Sequence, residues 1–234
     1  MKPSPERLQK RFCSLSGENH VKVLVLDSSP RREGNSWALA QSLAKGAEEA
    51  GHTVGFVHLS DFVESPLGDC RGCRLSDRSC GIGDGYERLL FDHVLPADAI
   101  VYATPLHWYG MTGRLKSFFD RLFCYTSGSS PHTAEVVPGL MNKRAAVLIS
   151  CEESYRGATL GLEAQFQELT RYLRQDLAGI VVGVGNSRGE VERDPARPLE
   201  AAADLGRRLG DAHVTDYRLD TDRPNRVWGP PVEA

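Results

Sequence analysis

Val21-Lys22-Val23-Leu24-Val25-Leu26-Asp27-Ser28-Ser29-Pro30-Arg31-Arg32-Glu33-Gly34-Asn35-Ser36-Trp37, continuing to Ala50, is the stretch whose reading decides the fold. Val21 to Leu26 is an apolar, β-branched run long enough for one buried strand. The run stops at a polar turn, Asp27 to Ser36, after which Trp37, Ala40, Leu43 and Ala47 recur on one face of a helix. A strand, a polar glycine-containing loop and a helix together form an anion pocket. Unpaired backbone N–H groups point at the bound oxygens, and the helix dipole adds about half a positive charge. Ser28, Ser29 and Ser36 offer hydroxyls, Asn35 an amide and Arg31 a guanidinium. Asn35 or Ser36 alone would cap the helix, so the surplus of donors points to a phosphate site. The loop has neither GxxxxGK[ST] nor GxGxxG, which separates it from the P-loop and from the dinucleotide fingerprint.

The rest of the chain repeats the alternation. Strands are expected at 52–59, 98–103, 145–150 and 178–184, and helices at 86–95, 114–124, 159–174 and 198–209; residues 125–142 read as turns. Five strands alternating with helices imply an α/β three-layer sandwich around a parallel sheet. In the order 2-1-3-4-5 strands 1 and 3 are neighbours, and their carboxyl ends face one ligand. The domain is expected over 21–210, with a surface-draped extension at 1–20 and a tail at 211–234. Residues 60–84 form a loop longer than compact domains usually carry, as functional or disordered segments do.

Composition excludes several classes. The net charge of −3 and the lack of a basic run argue against nucleic acid. No apolar stretch reaches the roughly 18 residues of a membrane span, and the N-terminus lacks the apolar core of a signal peptide. Six cysteines in 234 residues do not read as a disulfide framework, so a reducing cytoplasm is expected.

The loop after the third strand, Thr104-Pro105-Leu106-His107-Trp108-Tyr109-Gly110, sets a rigid turn and three flat side chains at a strand end. Alone it could simply cover the end of the sheet. Next to a phosphate loop it suits a ligand with a phosphate at one end and a large ring at the other, as in FMN.

The two loops, the second extended through Met111-Thr112-Gly113-Arg114-Leu115-Lys116-Ser117-Phe118-Phe119-Asp120-Arg121, resemble the flavin loops of the NADPH-dependent FMN reductase family. The branch of iron–sulfur flavoproteins is the most similar. That family carries GSPR…GN[ST] and sPxYWg…LKxFxDR, and the resemblance spans roughly 20–210. It implies a flavodoxin-like fold, bound FMN, and a homodimer or homotetramer that completes each flavin site. By that resemblance Ser29, Arg31, Gly34, Asn35 and Ser36 hold the phosphate. Pro105, Leu106, His107, Trp108 and Tyr109 line the ring, with His107 where the family usually has Tyr. Asp120 and Arg121 are expected in a salt bridge or subunit contact. Ser150, Cys151 and Glu152 end the fourth strand near the flavin but match no motif.

Iron–sulfur members carry CxxCxxC and a fourth cysteine, since a four-iron cluster needs four thiolates. Here Ser76 takes the third position, leaving Cys70, Cys73 and Cys80. Three thiolates could hold a labile cluster or a zinc with an outside ligand; the blander expectation is a loop that has lost its metal. Cys151 and Arg156 are one residue short of a phosphatase CxxxxxR, and Glu152 and Glu153 would repel phosphate.

The function expected is an FMN-dependent NAD(P)H oxidoreductase, in which NADPH gives a hydride to FMN and a quinone, flavin or other small acceptor takes the electrons. No side chain need act as nucleophile; His107 is the candidate general acid. The rivals are a flavodoxin-like electron carrier, against which the weak net charge argues, and a flavin-dependent dehydrogenase of one metabolite.

Overall fold

The computed structural model describes residues 20–69 and 72–211. The expected N-terminal extension up to residue 19, the tail beyond 211 with Trp228, and Cys13 and Cys70 lie outside the described residues.

Five parallel strands, β1 (Lys22–Asp27), β2 (Thr53–His58), β3 (Ala99–Pro105), β4 (Arg144–Cys151) and β5 (Asp176–Val184), lie in the order β2-β1-β3-β4-β5. Helix α1 (Asn35–Glu49) follows β1. After β2, a single α-helical turn, α2 (Tyr86–Arg88), runs into a π-helical stretch at Leu89–Val94. The remaining helices are α3 (Gly113–Thr126), α4 (Thr133–Leu140), α5 (Gly157–Leu173) and α6 (Pro198–Arg208). No helix among the described residues is long and apolar enough to cross a membrane.

Strand side chains alternate between faces, and the core divides accordingly. Val23, Val25, Val101, Ala103 and Leu148 pack beneath α1 and α6 with Leu39, Leu43 and Leu205. Leu24, Leu26, Ile100, Tyr102 and Val147 pack on the other face with Tyr86, Leu90, Phe118 and Phe166. Helices α1 and α6 meet backbone to backbone. A Cβ on Gly46 would fall 1.9 Å from the Ala203 carbonyl oxygen, and one on Gly206 would fall 2.1 Å from that of Leu43.

Helix α4 stands where the sequence reads as turns. Val136, Val137 and Leu140 are buried, and their apolar surface holds the helix despite Pro138. Gly139, read as a turn signal, is a close approach instead: its Cβ would lie 2.9 Å from the Leu95 side chain.

The long loop before α2 is tied down at its end. Asp84 takes both Arg121 terminal nitrogens, Nη2 at 2.8 Å and Nη1 in a shorter contact, together with the Glu64 N–H at 2.9 Å and the Tyr86 N–H at 3.2 Å. Arg121 has no exposed side-chain surface, and its guanidinium lies 4.2 Å from the Tyr86 ring centroid. Burial pushes the Asp84 carboxyl up, but the Arg121 hydrogen bonds and the two N–H donors outweigh it and hold it below the usual range. The expected salt bridge of Arg121 is therefore internal. Asp120 pairs with Lys116 one turn away.

Candidate functional site

A cleft of about 420 Å³ opens at the carboxyl ends of the strands. Its floor and walls come from four segments: the loop after β1, the loop after β3, the end of β4, and the loop after β5.

The β1 loop is shaped by its own polar groups. Asp27, buried at the end of β1, accepts the Ser29 N–H at 3.1 Å through Oδ1, and its Oδ2 lies 3.0 Å from His58 Nδ1. Burial, the largest influence, pushes the Asp27 carboxyl up, against the pull of the Ser29 N–H and His58. Ser28 donates its N–H and its hydroxyl to the Ala103 carbonyl, at 2.9 and 3.0 Å, which ties the loop to β3. The Ser29 hydroxyl donates to the Arg31 carbonyl at 3.0 Å and accepts the Arg31 N–H at 3.1 Å. Gly34 sits in the crook of this turn, where a Cβ would lie 3.1 Å from the Arg31 carbonyl oxygen.

The cap of α1 is Gly34, without a side-chain hydrogen bond. The first bond of the helix runs from the Ala38 N–H to the Gly34 carbonyl at 3.0 Å. The N–H groups of Asn35, Ser36 and Trp37 thus have no partner within the helix. Asn35 and Ser36, candidate caps in the sequence, lie inside the first turn. The Ser36 hydroxyl meets that of Ser150 at 2.8 Å. The Asn35 amide is turned to the loop after β5: Nδ2 donates to the carbonyls of Gly185 at 2.8 Å and Ser187 at 3.0 Å, and Oδ1 accepts the Gly189 N–H at 3.0 Å.

Pro105, Leu106 and His107 form the wall from β3. The Leu106 N–H donates to the Ser150 carbonyl at 2.8 Å, fixing this wall to β4. His107 and Gly110 exchange backbone hydrogen bonds of 2.9 and 3.0 Å, with Trp108 and Tyr109 between them at φ 48° and 61°. Both central residues are left-handed, the signature of a type I′ turn. Neither lines the cleft, and Trp108 is 97% exposed.

Sequence reading passed over the loop after β5. Gly185, Asn186 and Arg188 line the cleft together with Ser150, Cys151 and Glu152. A signal was present: Gly34-Asn35-Ser36 recurs as Gly185-Asn186-Ser187, again just beyond a strand. Arg31 Nη1 donates to the Asn186 carbonyl at 3.4 Å, and Arg188 Nη2 to the Arg32 carbonyl at 3.1 Å. Glu152, on the β4 side, accepts from Asn186 Nδ2 at 3.2 Å. Burial, reinforced by Glu153 and Asp194, pushes the Cys151 thiol up to about 11. At neutral pH it is a protonated thiol, unsuited to nucleophilic attack.

The cysteine loop stands apart from the cleft. Cys73 and Cys80 are half-buried free thiols, and Gly81 packs so closely that a Cβ would lie 2.0 Å from the Cys73 carbonyl oxygen. Among the described residues no group of three His, Cys, Asp or Glu side chains could hold a metal ion. Cys70 is not among those residues.

A family model described as "flavodoxin-like fold" matches residues 21–183. A Bacillus subtilis protein named as an NAD(P)H-dependent FMN-containing oxidoreductase is 27% identical over 80% of this chain and 98% of its own length. A protein named iron-sulfur flavoprotein, from Archaeoglobus fulgidus, is 25% identical over 86% of this chain and 84% of its own. Among solved structures, the Trp repressor binding protein of Bacillus subtilis superposes with a TM-score of 0.61 at 23% identity, covering 78% of this chain and 96% of that one.

Proposed function

The chain belongs to the family of flavodoxin-like fold proteins, and from that premise we propose that its cleft binds FMN and that the protein is an NAD(P)H-dependent flavin oxidoreductase. The observation that carries this reading is the meeting of two unlike surfaces in one cleft. Arg31, Ser36 and the free N–H groups at the start of α1 form an anion-binding end, and Pro105, Leu106 and His107 form a flat, largely apolar end. That donor set fits a phosphate, and the second wall fits a ring system. The name of the Bacillus subtilis relative accords with it.

In this reading Arg31 and the backbone N–H groups of Asn35 and Ser36 hold the phosphate, while Ser29 and Gly34 keep the loop in the shape that presents them. Pro105 and Leu106 exclude water from one side of the ring. Bound FMN would supply two-electron chemistry between NAD(P)H and a small acceptor such as a quinone or a free flavin. On this reading the His107 imidazole, at the wall of the cleft, would give a proton to an acceptor oxygen. The partners are small molecules and a second copy of this chain; the free thiols accord with a cytoplasmic location.

Titration of flavin-free protein with FMN, followed by quenching of flavin fluorescence, tests the site. Saturable binding is expected, and the combined Arg31→Ala and Asn35→Ala protein should remain largely apo. Full occupancy in that double variant would overturn the loop assignment. Anaerobic NADPH, then NADH, should bleach the flavin bands. Bands that persist with both would favour an electron carrier or a dehydrogenase of one metabolite.

A further inference from the structure

The segment Gly185-Asn186-Ser187-Arg188-Gly189 is built to a fixed shape over the start of α1. Asn35 holds it with three hydrogen bonds, at Gly185, Ser187 and Gly189. Glu190 accepts the N–H groups of Asn186 and Ser187, both at 2.9 Å. Gly185 leaves no room for adjustment, since a Cβ there would lie 2.6 Å from the Val191 nitrogen, and Gly189 turns at φ 79°. Arg188 is therefore held by its neighbours on both sides. Its guanidinium reaches back to the Arg32 carbonyl at 3.1 Å and lines the same cleft as Arg31, Gly34 and Ser36.

Charge decides what this arrangement is for. A phosphate monoester carries about −1.5 to −2 at neutral pH. Arg31 supplies one positive charge and the helix terminus about half of one, which matches only the lower end of that range. The Glu152 carboxylate lines the same cleft, so a single guanidinium leaves the dianion under-neutralised. We infer that Arg188 is the second guanidinium of the phosphate end, and that Asn35 is a positioning residue which holds the Arg188 loop over α1 through its side chain. The phosphate site then spans two loops that start about 150 residues apart in sequence. The inference rests on the proposed FMN reading of the cleft. Glu33 and Glu192 line a second pocket together with Arg188.

Riboflavin, which has the ring but lacks the phosphate, separates a phosphate contact from a merely structural one. In fluorescence titrations of flavin-free protein, Arg188→Ala should weaken FMN about tenfold to a hundredfold, as expected for loss of a charge-assisted hydrogen bond, and should leave riboflavin affinity unchanged. Arg188→Lys should recover part of the loss, and the salt dependence of FMN binding should flatten in Arg188→Ala. Asn35→Ala should reproduce the loss, and the combined variant should add little to it. Equal weakening of FMN and riboflavin, or unchanged FMN affinity in Arg188→Ala, would overturn the assignment while leaving the FMN reading in place. A wild-type protein that binds no FMN would overturn both.

Discussion

Arg121 and Asp84 are the charged pair most thoroughly withdrawn from water in the described residues that contact the long loop, and their value lies in what breaking them would expose. Removing one partner from a buried pair strands the other charge and typically costs about 3–5 kcal/mol. Arg121→Ala should lose stability on that scale in urea denaturation, with the loop at 60–84 becoming the first site of protease cleavage. The pH dependence follows from the depressed Asp84 pKa. A carboxyl that ionises more readily folded than unfolded adds stability above its unfolded value, about 3.8, and loses it as pH falls through the folded one. The stability gap between wild type and Asp84→Asn should thus be widest above pH 4 and should narrow as the solution is acidified below 3.8. A gap that widens in acid would contradict the sign.

At the scale of elements, the closest joint in the fold is the crossing of α1 and α6. Glycine at 46 and 206 lets the two backbones touch, so any side chain there must push main-chain atoms apart. Gly46→Ala should destabilise by at least about 2 kcal/mol, at the costly end of overpacking, measured as a fall in denaturation midpoint. Gly113→Ala is the matched control: nothing lies within 4 Å of a Cβ there. It should be neutral or stabilising by up to about 1 kcal/mol, through loss of unfolded-chain entropy. Because α1 carries the free N–H groups and α6 follows the Arg188 loop, this joint also sets the distance between the two halves of the phosphate end.

At the scale of the whole molecule, the described residues expose several aromatic side chains. Trp108, Tyr109 and Tyr155 are exposed beside the cleft, and an apolar groove between α3 and α5 runs past Met111, Phe119, Leu169 and Tyr172. Two bulky residues at positive φ cost about 1–2 kcal/mol each, a strain that a partner protomer covering the hairpin would offset. Trp108→Asn with Tyr109→Gly, a pair that suits the type I′ turn, should therefore raise the thermal stability of the protomer and shift sedimentation toward the monomer. A wild-type protein that sediments as a monomer at all concentrations would sink the expectation of a homodimer or homotetramer.

The hydrophobic period along the chain sufficed to place the strands and the two loops at their ends, because burial on a sheet or a helix face is written into neighbouring residues. The order β2-β1-β3-β4-β5 came as an expectation of the flavodoxin-like architecture, and the strand pairing bears it out. Leu24 and Val25 had to face opposite sides whatever else the chain did. The four residues before Asn35 and the three after Leu106 could be placed at strand ends on the same grounds. Helix α4 was hidden because Pro138 and Gly139 carry turn chemistry locally, while the burial of Val136 and Leu140 that overrules it comes from distant elements. The exposure of Trp108 was hidden too, since it goes with a backbone turn and not with the ring. Only the tertiary structure decided where each polar group spends its hydrogen bonds. The Asn35 amide serves a loop 150 residues away, and Arg188 lines the same cleft as Arg31. A side chain's partners depend on which segments the sheet brings together, and no local pattern encodes that meeting.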